Sequence, residues 1–147
     1  MTPARCLSAA DGLLRRGPSG AWWPKACACL IRLALELAIE QYWQETSPAV
    51  AACGAQRTRL LMLRRRSGRE LARRAAFAWA TLSQATHHHC YDTAPTAGEL
   101  RRLHTEVGLL VAGLTATASP RQPAVPQQAG ADEVRLSARS DSSAPPG

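Results

Sequence analysis

Apolar residues recur at helical spacing through the middle of the chain, and the stripes they draw predict its elements. Ile31, Leu35, Ala38, Ile39 and Tyr42 form one stripe, with Lys25, Arg32, Glu36, Glu40 and Gln44 on the other side. Proline suits a first helical position, so this helix should run from about Pro24 to Glu45. Ser47-Pro48 stops it and starts a short helix through Cys53, closed by Gly54. Leu60, Leu61, Met62 and Leu63 form an apolar knot that predicts one or two further turns. Ser67-Gly-Arg-Glu70 has capping-box spacing, and a long helix should follow it to about His89. Its buried face would carry Leu71, Ala75, Ala78, Leu82 and Thr86, with Trp79 as the anchor. Thr96-Ala-Gly-Glu99 repeats the capping-box pattern and opens a helix striped by Leu100, Leu103, Val107, Leu110, Val111 and Leu114. Gly113 and the Thr-Ala run after it should end that helix.

The two ends lack such stripes. Pro3, Gly12, Gly17, Pro18 and Gly20 interrupt the first twenty residues, which predicts a loose leader. From Thr115 the chain is rich in Pro, Ser, Ala and Gln, with only Val125, Val134 and Leu136 as larger aliphatics, too few to offset the ordering entropy. The expectation is an all-α protein: a compact bundle of about four helices over residues 22–114, a flexible leader over 1–21 and a disordered tail over 115–147. A chain of 147 residues leaves no room for a two-domain enzyme. The abundance of alanine and the scarcity of Val, Ile and aromatics argue against a β-rich architecture.

Charge changes the picture at one place. The net charge is +7, and residues 57–74 alone carry eight arginines against Glu70, which equals that excess. A localised excess implies an acidic partner more strongly than a diffuse one does. Arg64, Arg65, Arg66, Arg69, Arg73 and Arg74 could neutralise backbone phosphates, with Phe77 one turn further on to stack a base. The alternative is an ordinary solvated face in a chain biased to arginine over lysine. No recognition-helix pattern or RNP-like motif accompanies the stretch.

The longest apolar run, residues 26–39, is 14 residues long and contains Arg32 and Glu36, so no membrane span is expected. Asp11 and Gly12 fall where a signal peptide would be continuously apolar, which makes the cytoplasm the expected compartment. Cys6, Cys27, Cys29, Cys53 and Cys90 include no Cys-x-x-Cys pair, so no disulfide framework is legible and core filling is the simplest role for Cys27 and Cys29.

His87-His88-His89-Cys90-Tyr91 at the end of the long helix, together with Gln84, make a candidate functional cluster. Successive helical residues point about 100° apart, so three adjacent histidines cannot converge on one ion without ligands from elsewhere, such as His104 or Cys53. The simplest reading is that His89 and Tyr91 hydrogen-bond to the ends of neighbouring helices while the others are exposed, with no cofactor; a metal-binding protein using the His87–Cys90 cluster and a Cys90 thiolate activated by the histidines stand as lesser alternatives.

The run from Leu82 to Leu103, with its three histidines before an aromatic residue and Ala-Pro-Thr-x-x-Glu-Leu, resembles one found in small uncharacterised helical proteins of actinobacteria. The resemblance covers about residues 60–114 and brings no activity with it. An arginine often stands in that group where this chain has Gln84, giving an Arg-x4-His spacing that ends at His89. That spacing is similar to the ribonuclease motif of HEPN-type helical domains, which cut or bind RNA as dimers. The resemblance implies that Gln84 replaces the residue that meets phosphate charge, so cleavage is not expected and a HEPN-like ribonuclease stands as a lesser alternative, while salt-sensitive binding is compatible with it. Two function classes follow: a non-catalytic RNA or DNA contact through the arginine stretch, and a protein-interaction module acting as a homo-oligomer or partner subunit. The candidate partner surface is the polar side of the long helix: Arg73, Phe77, Thr81, Gln84 and His88.

Overall fold

A computed structural model describes residues 1–17, 22–87 and 94–119. Among them lie six helices and no strand: α1 (Pro3–Arg16), α2 (Trp23–Thr46), α3 (Pro48–Ala51), α4 (Gln56–Arg66), α5 (Arg69–His87) and α6 (Ala97–Ala118). The all-α class agrees with the sequence pattern, and the expected four or so helices become six.

The additional long helix is α1, which corrects the expectation of a flexible leader over 1–21. Thr2 caps it by accepting from the Arg5 N–H at 3.3 Å, and Pro3 occupies the first turn. Cys6, Ala10 and Leu14, four residues apart, make its buried stripe. Two of those three side chains are small, which is why the stripe is faint in the sequence. From α6, His104 Nε2 donates to the Leu7 carbonyl at 3.0 Å and Arg101 to the Leu14 carbonyl at 3.4 Å. Residues 18–21 lie outside the described residues.

Helix α2 is the hub, packing against α1, α5 and α6 and touching α3 and α4. Cys27, Ala28, Ile31, Ala34, Leu35, Ala38 and Ile39 are buried along it. Burial pushes the Cys27 thiol up to about 11, and its Sγ faces the Ala10 carbonyl, a core role that agrees with the sequence reading; Cys29, read the same way, is instead exposed, because two residues further along a helix the side chain points to another side. Trp43, only 1% exposed, is the largest fully buried side chain; its Nε1 donates to the Arg59 carbonyl at 3.2 Å.

Helix α5 buries Ala72, Ala75, Ala78, Leu82, Ala85 and Thr86. Leu71 and Trp79, expected in the core, are half-buried, so Trp43 rather than Trp79 anchors the interior. Ser67 does not cap α5: its hydroxyl donates backward to the Leu63 carbonyl at 2.9 Å, while the Gly68 carbonyl accepts from the Ala72 N–H. Gly68 has φ +92°, a left-handed conformation that glycine adopts without steric cost.

The Thr96–Glu99 capping box of α6 is present as expected. Gly113 does not end this helix, which runs on to Ala118; a Cβ on Gly113 would sit 2.7 Å from a Leu71 methyl, so the glycine lets α5 approach. The bundle thus extends past 114, and of the proposed tail, residues 120–147 lie outside the described residues. Arg74 joins α5 to α6 through a bidentate pair with Glu106, at 2.6 and 2.9 Å. No described helix is long and apolar enough to cross a membrane.

Leu14→Ala is expected to cost about 2–5 kcal/mol in denaturant unfolding, the range for a buried leucine, whereas a loose leader would make it silent. Trp43→Ala should cost about 3–5 kcal/mol and Trp79→Ala clearly less. Hydrogen bonds from the Thr96 backbone and hydroxyl hold the Glu99 carboxyl below the ordinary carboxylate range, and those from Arg74 do the same for Glu106. Folded values lower than unfolded ones mean stabilisation that is complete above the unfolded value of roughly 4.3 and lost as pH falls through the folded values. The melting-temperature gap between wild type and Glu106→Gln should therefore narrow below about pH 4.

Candidate nucleic-acid interface

The arginine stretch divides into cations that hold the fold and cations that face outward. Arg59 donates to the Ala51 carbonyl at 2.6 Å and so ties α4 to α3. Arg66 donates to the Thr46 carbonyl at 3.1 Å, meeting the unpaired carbonyls at the end of α2. Arg74 is committed to Glu106, and Arg73 makes an exposed pair with Glu70 at 2.8 Å on its own helix. Arg57, Arg64, Arg65 and Arg69 are exposed and have no ion pair or hydrogen-bond partner among the described residues.

Four arginines surround one cleft between α4 and α5, with a volume of about 550 Å³: Arg57 and Arg64 from α4, Arg69 and Arg73 from α5. No acidic residue lines it. The rest of its lining is apolar: buried Leu60 and Ala72, half-buried Trp79, and exposed Leu61, Ala76 and Ala80. Guanidinium groups over a low-dielectric wall raise the local attraction for anions above that of the same charges spread on an open surface. The four-residue gap from Leu60 to Arg64, and the seven from Arg57 to Arg64, place α4's contributors on one helical face. That spacing was the available signal for Arg57, which the sequence-based set omits.

A second hollow of about 340 Å³ lies on the other side of Arg73, lined by Arg73, Arg74, Phe77, Arg102, Leu103 and Glu106. Phe77 is 70% exposed there, as expected of a ring available to stack. Trp79 is fixed from behind: its Nε1 donates to Glu36 Oε1 at 2.9 Å. Arg32 Nε meets the same oxygen at 3.4 Å, and its NH1 donates to Thr86 Oγ1 at 2.8 Å. This half-buried polar seam pins α5 to α2.

The structure therefore brings Arg64, Arg69 and Arg73 together around the cleft and puts Arg74 and Phe77 in the neighbouring hollow. Arg65 lies exposed on α4 and lines neither space, and Arg66 is turned toward α2. Gln84 and His87 are exposed on the last turns of α5, while His88, His89, Cys90 and Tyr91 lie outside the described residues. His104, one of the extra ligands a metal site would need, is engaged with the Leu7 carbonyl. No group of three or more His, Cys, Asp or Glu side chains able to hold a metal ion occurs among the described residues. Compared with protein-family models, curated proteins and solved structures, the chain matches none.

Proposed function

We propose that this is a non-catalytic nucleic-acid-binding protein of the cytoplasm that holds backbone phosphates at the α4–α5 cleft. The observation that carries the reading is that Arg57, Arg64 and Arg69, which have no ion-pair partner among the described residues, line one cleft together with Arg73, which is paired with Glu70. Phosphates are the multivalent anions such a cluster suits, because each guanidinium can donate two parallel hydrogen bonds to one phosphate group. The resemblance to helical proteins with a HEPN-like Arg-x4-His spacing, from which this chain departs at Gln84, is what suggests RNA as the nucleic acid. Exposed apolar side chains, Leu61 at 76% and Phe77 at 70%, favour a second reading, a protein-interaction surface. Salt separates the two, since phosphate contacts release counterions and apolar contacts do not.

Binding without cleavage follows from the residues near the end of α5. Gln84 is a neutral amide where a cation would be needed to meet charge developing on phosphate. Arg73 and Arg74 lie roughly ten residues earlier, which is about 15 Å of helical rise. Arg32 does reach this end of α5, yet its charge is shared with Glu36 and its NH1 is bonded to Thr86.

With three or four phosphates engaged, log K for a single-stranded oligonucleotide should fall against log salt with a slope of about −2 to −3. Arg69→Ala should reduce that slope by about 0.7, measured by fluorescence anisotropy at several salt concentrations. Apolar association insensitive to salt would instead support the protein-interaction reading. RNA incubated with the protein should remain intact. Cleavage by a metal-free preparation, lost in His89→Ala, would overturn the non-catalytic part.

A further inference from the structure

An arginine ring accounts for phosphates but leaves the apolar lining of the cleft unexplained, because a phosphate gains nothing from Leu60, Leu61 or Ala76. We propose that the cleft is a base subsite, in which one unstacked base of a single-stranded nucleic acid lies against Trp79 while Arg64 and Arg69 hold its flanking phosphates. The proposal rests on the nucleic-acid reading above and names the strand form that the site takes.

The lining matches the two chemistries of a single strand. Bases are flat and apolar on their faces, phosphates are anionic, and the cleft offers an apolar lining within a cationic rim. A duplex keeps its bases stacked and turned inward, so it can engage the rim alone. Trp79 is held by its bond to Glu36 before any ligand arrives, which lowers the ordering cost of binding. Arg73 lines both this cleft and the adjoining hollow, where Phe77 stands exposed. The succession of ring, guanidinium and ring follows the alternation of base, phosphate and base along a strand. An acidic amphipathic helix would need a continuous apolar groove, whereas here Arg73 stands between the two apolar areas.

The test uses the full chain and three labelled probes of equal length: a single-stranded oligouridylate, an abasic strand with the same phosphates, and a duplex. At low salt the single strand should bind roughly tenfold more tightly than the other two, an effect of the size that one stacked base supplies. Ala76→Leu fills the cleft from an exposed position and should close the gap between the strand and the abasic strand, with thermal melting as the check on folding. Arg64→Ala should weaken all three probes together. Equal affinity for strand and abasic strand, both weakened by Arg64→Ala, would overturn the base subsite and leave the phosphate reading standing. Absence of binding by all three probes would overturn both. Displacement of the bound strand by an acidic amphipathic peptide of higher affinity would also overturn the subsite and assign the cleft to a protein partner.

Discussion

The bundle depends on covering α2. Its apolar residues are not confined to one stripe: Ile31, Leu35 and Ile39 run along it beside Cys27, Ala34 and Ala38, and every one of them is buried. A helix that is apolar on more than one side must be enclosed by others, and α1, α5 and α6 supply the enclosure. Small residues set how closely that happens. Ala10 on α1, Ala75 and Ala78 on α5, and Ala28 and Ala34 on α2 are fully buried, so the interior is built as much from alanine as from leucine. The polar seam of Glu36, Trp79, Arg32 and Thr86 then fixes α5 on α2 by directional bonds, which apolar packing does not supply.

Legibility in the sequence followed side-chain size and distance along the chain. Helix α2 and the capping box of α6 could be read because proline, threonine and glutamate act locally and large aliphatics mark the stripe. Helix α1 could not, because Cys6 and Ala10 carry little weight as apolar markers and Gly12 resembles a breaker, although a single glycine costs a helix only about 1 kcal/mol. Ser67 illustrates a limit of local pattern: the same hydroxyl can close the preceding helix or open the next, and spacing alone does not choose. Gly113 shows another, since its role depends on Leu71, 42 positions away, and not on its neighbours.

The candidate surface divided in the same manner. That residues 57–74 hold the charge excess was plain from counting. Which arginines remain without a partner was not, because Arg66 and Arg74 find theirs at Thr46 and Glu106, far from them in sequence. Exposure of Phe77 followed from helical phase, while the apolar lining required α4 and α5 to be placed side by side.

The turn at Ser67-Gly68 sets the charge density at the cleft's rim. Were α4 and α5 one uninterrupted helix, its arginines from Arg57 to Arg74 would be strung along about 25 Å of axis and would face every direction around it. The left-handed backbone at Gly68 breaks that rod into two pieces that lie against each other. Four of the cations thereby share one opening, and the field there owes its strength to where the chain bends as much as to how many arginines it carries.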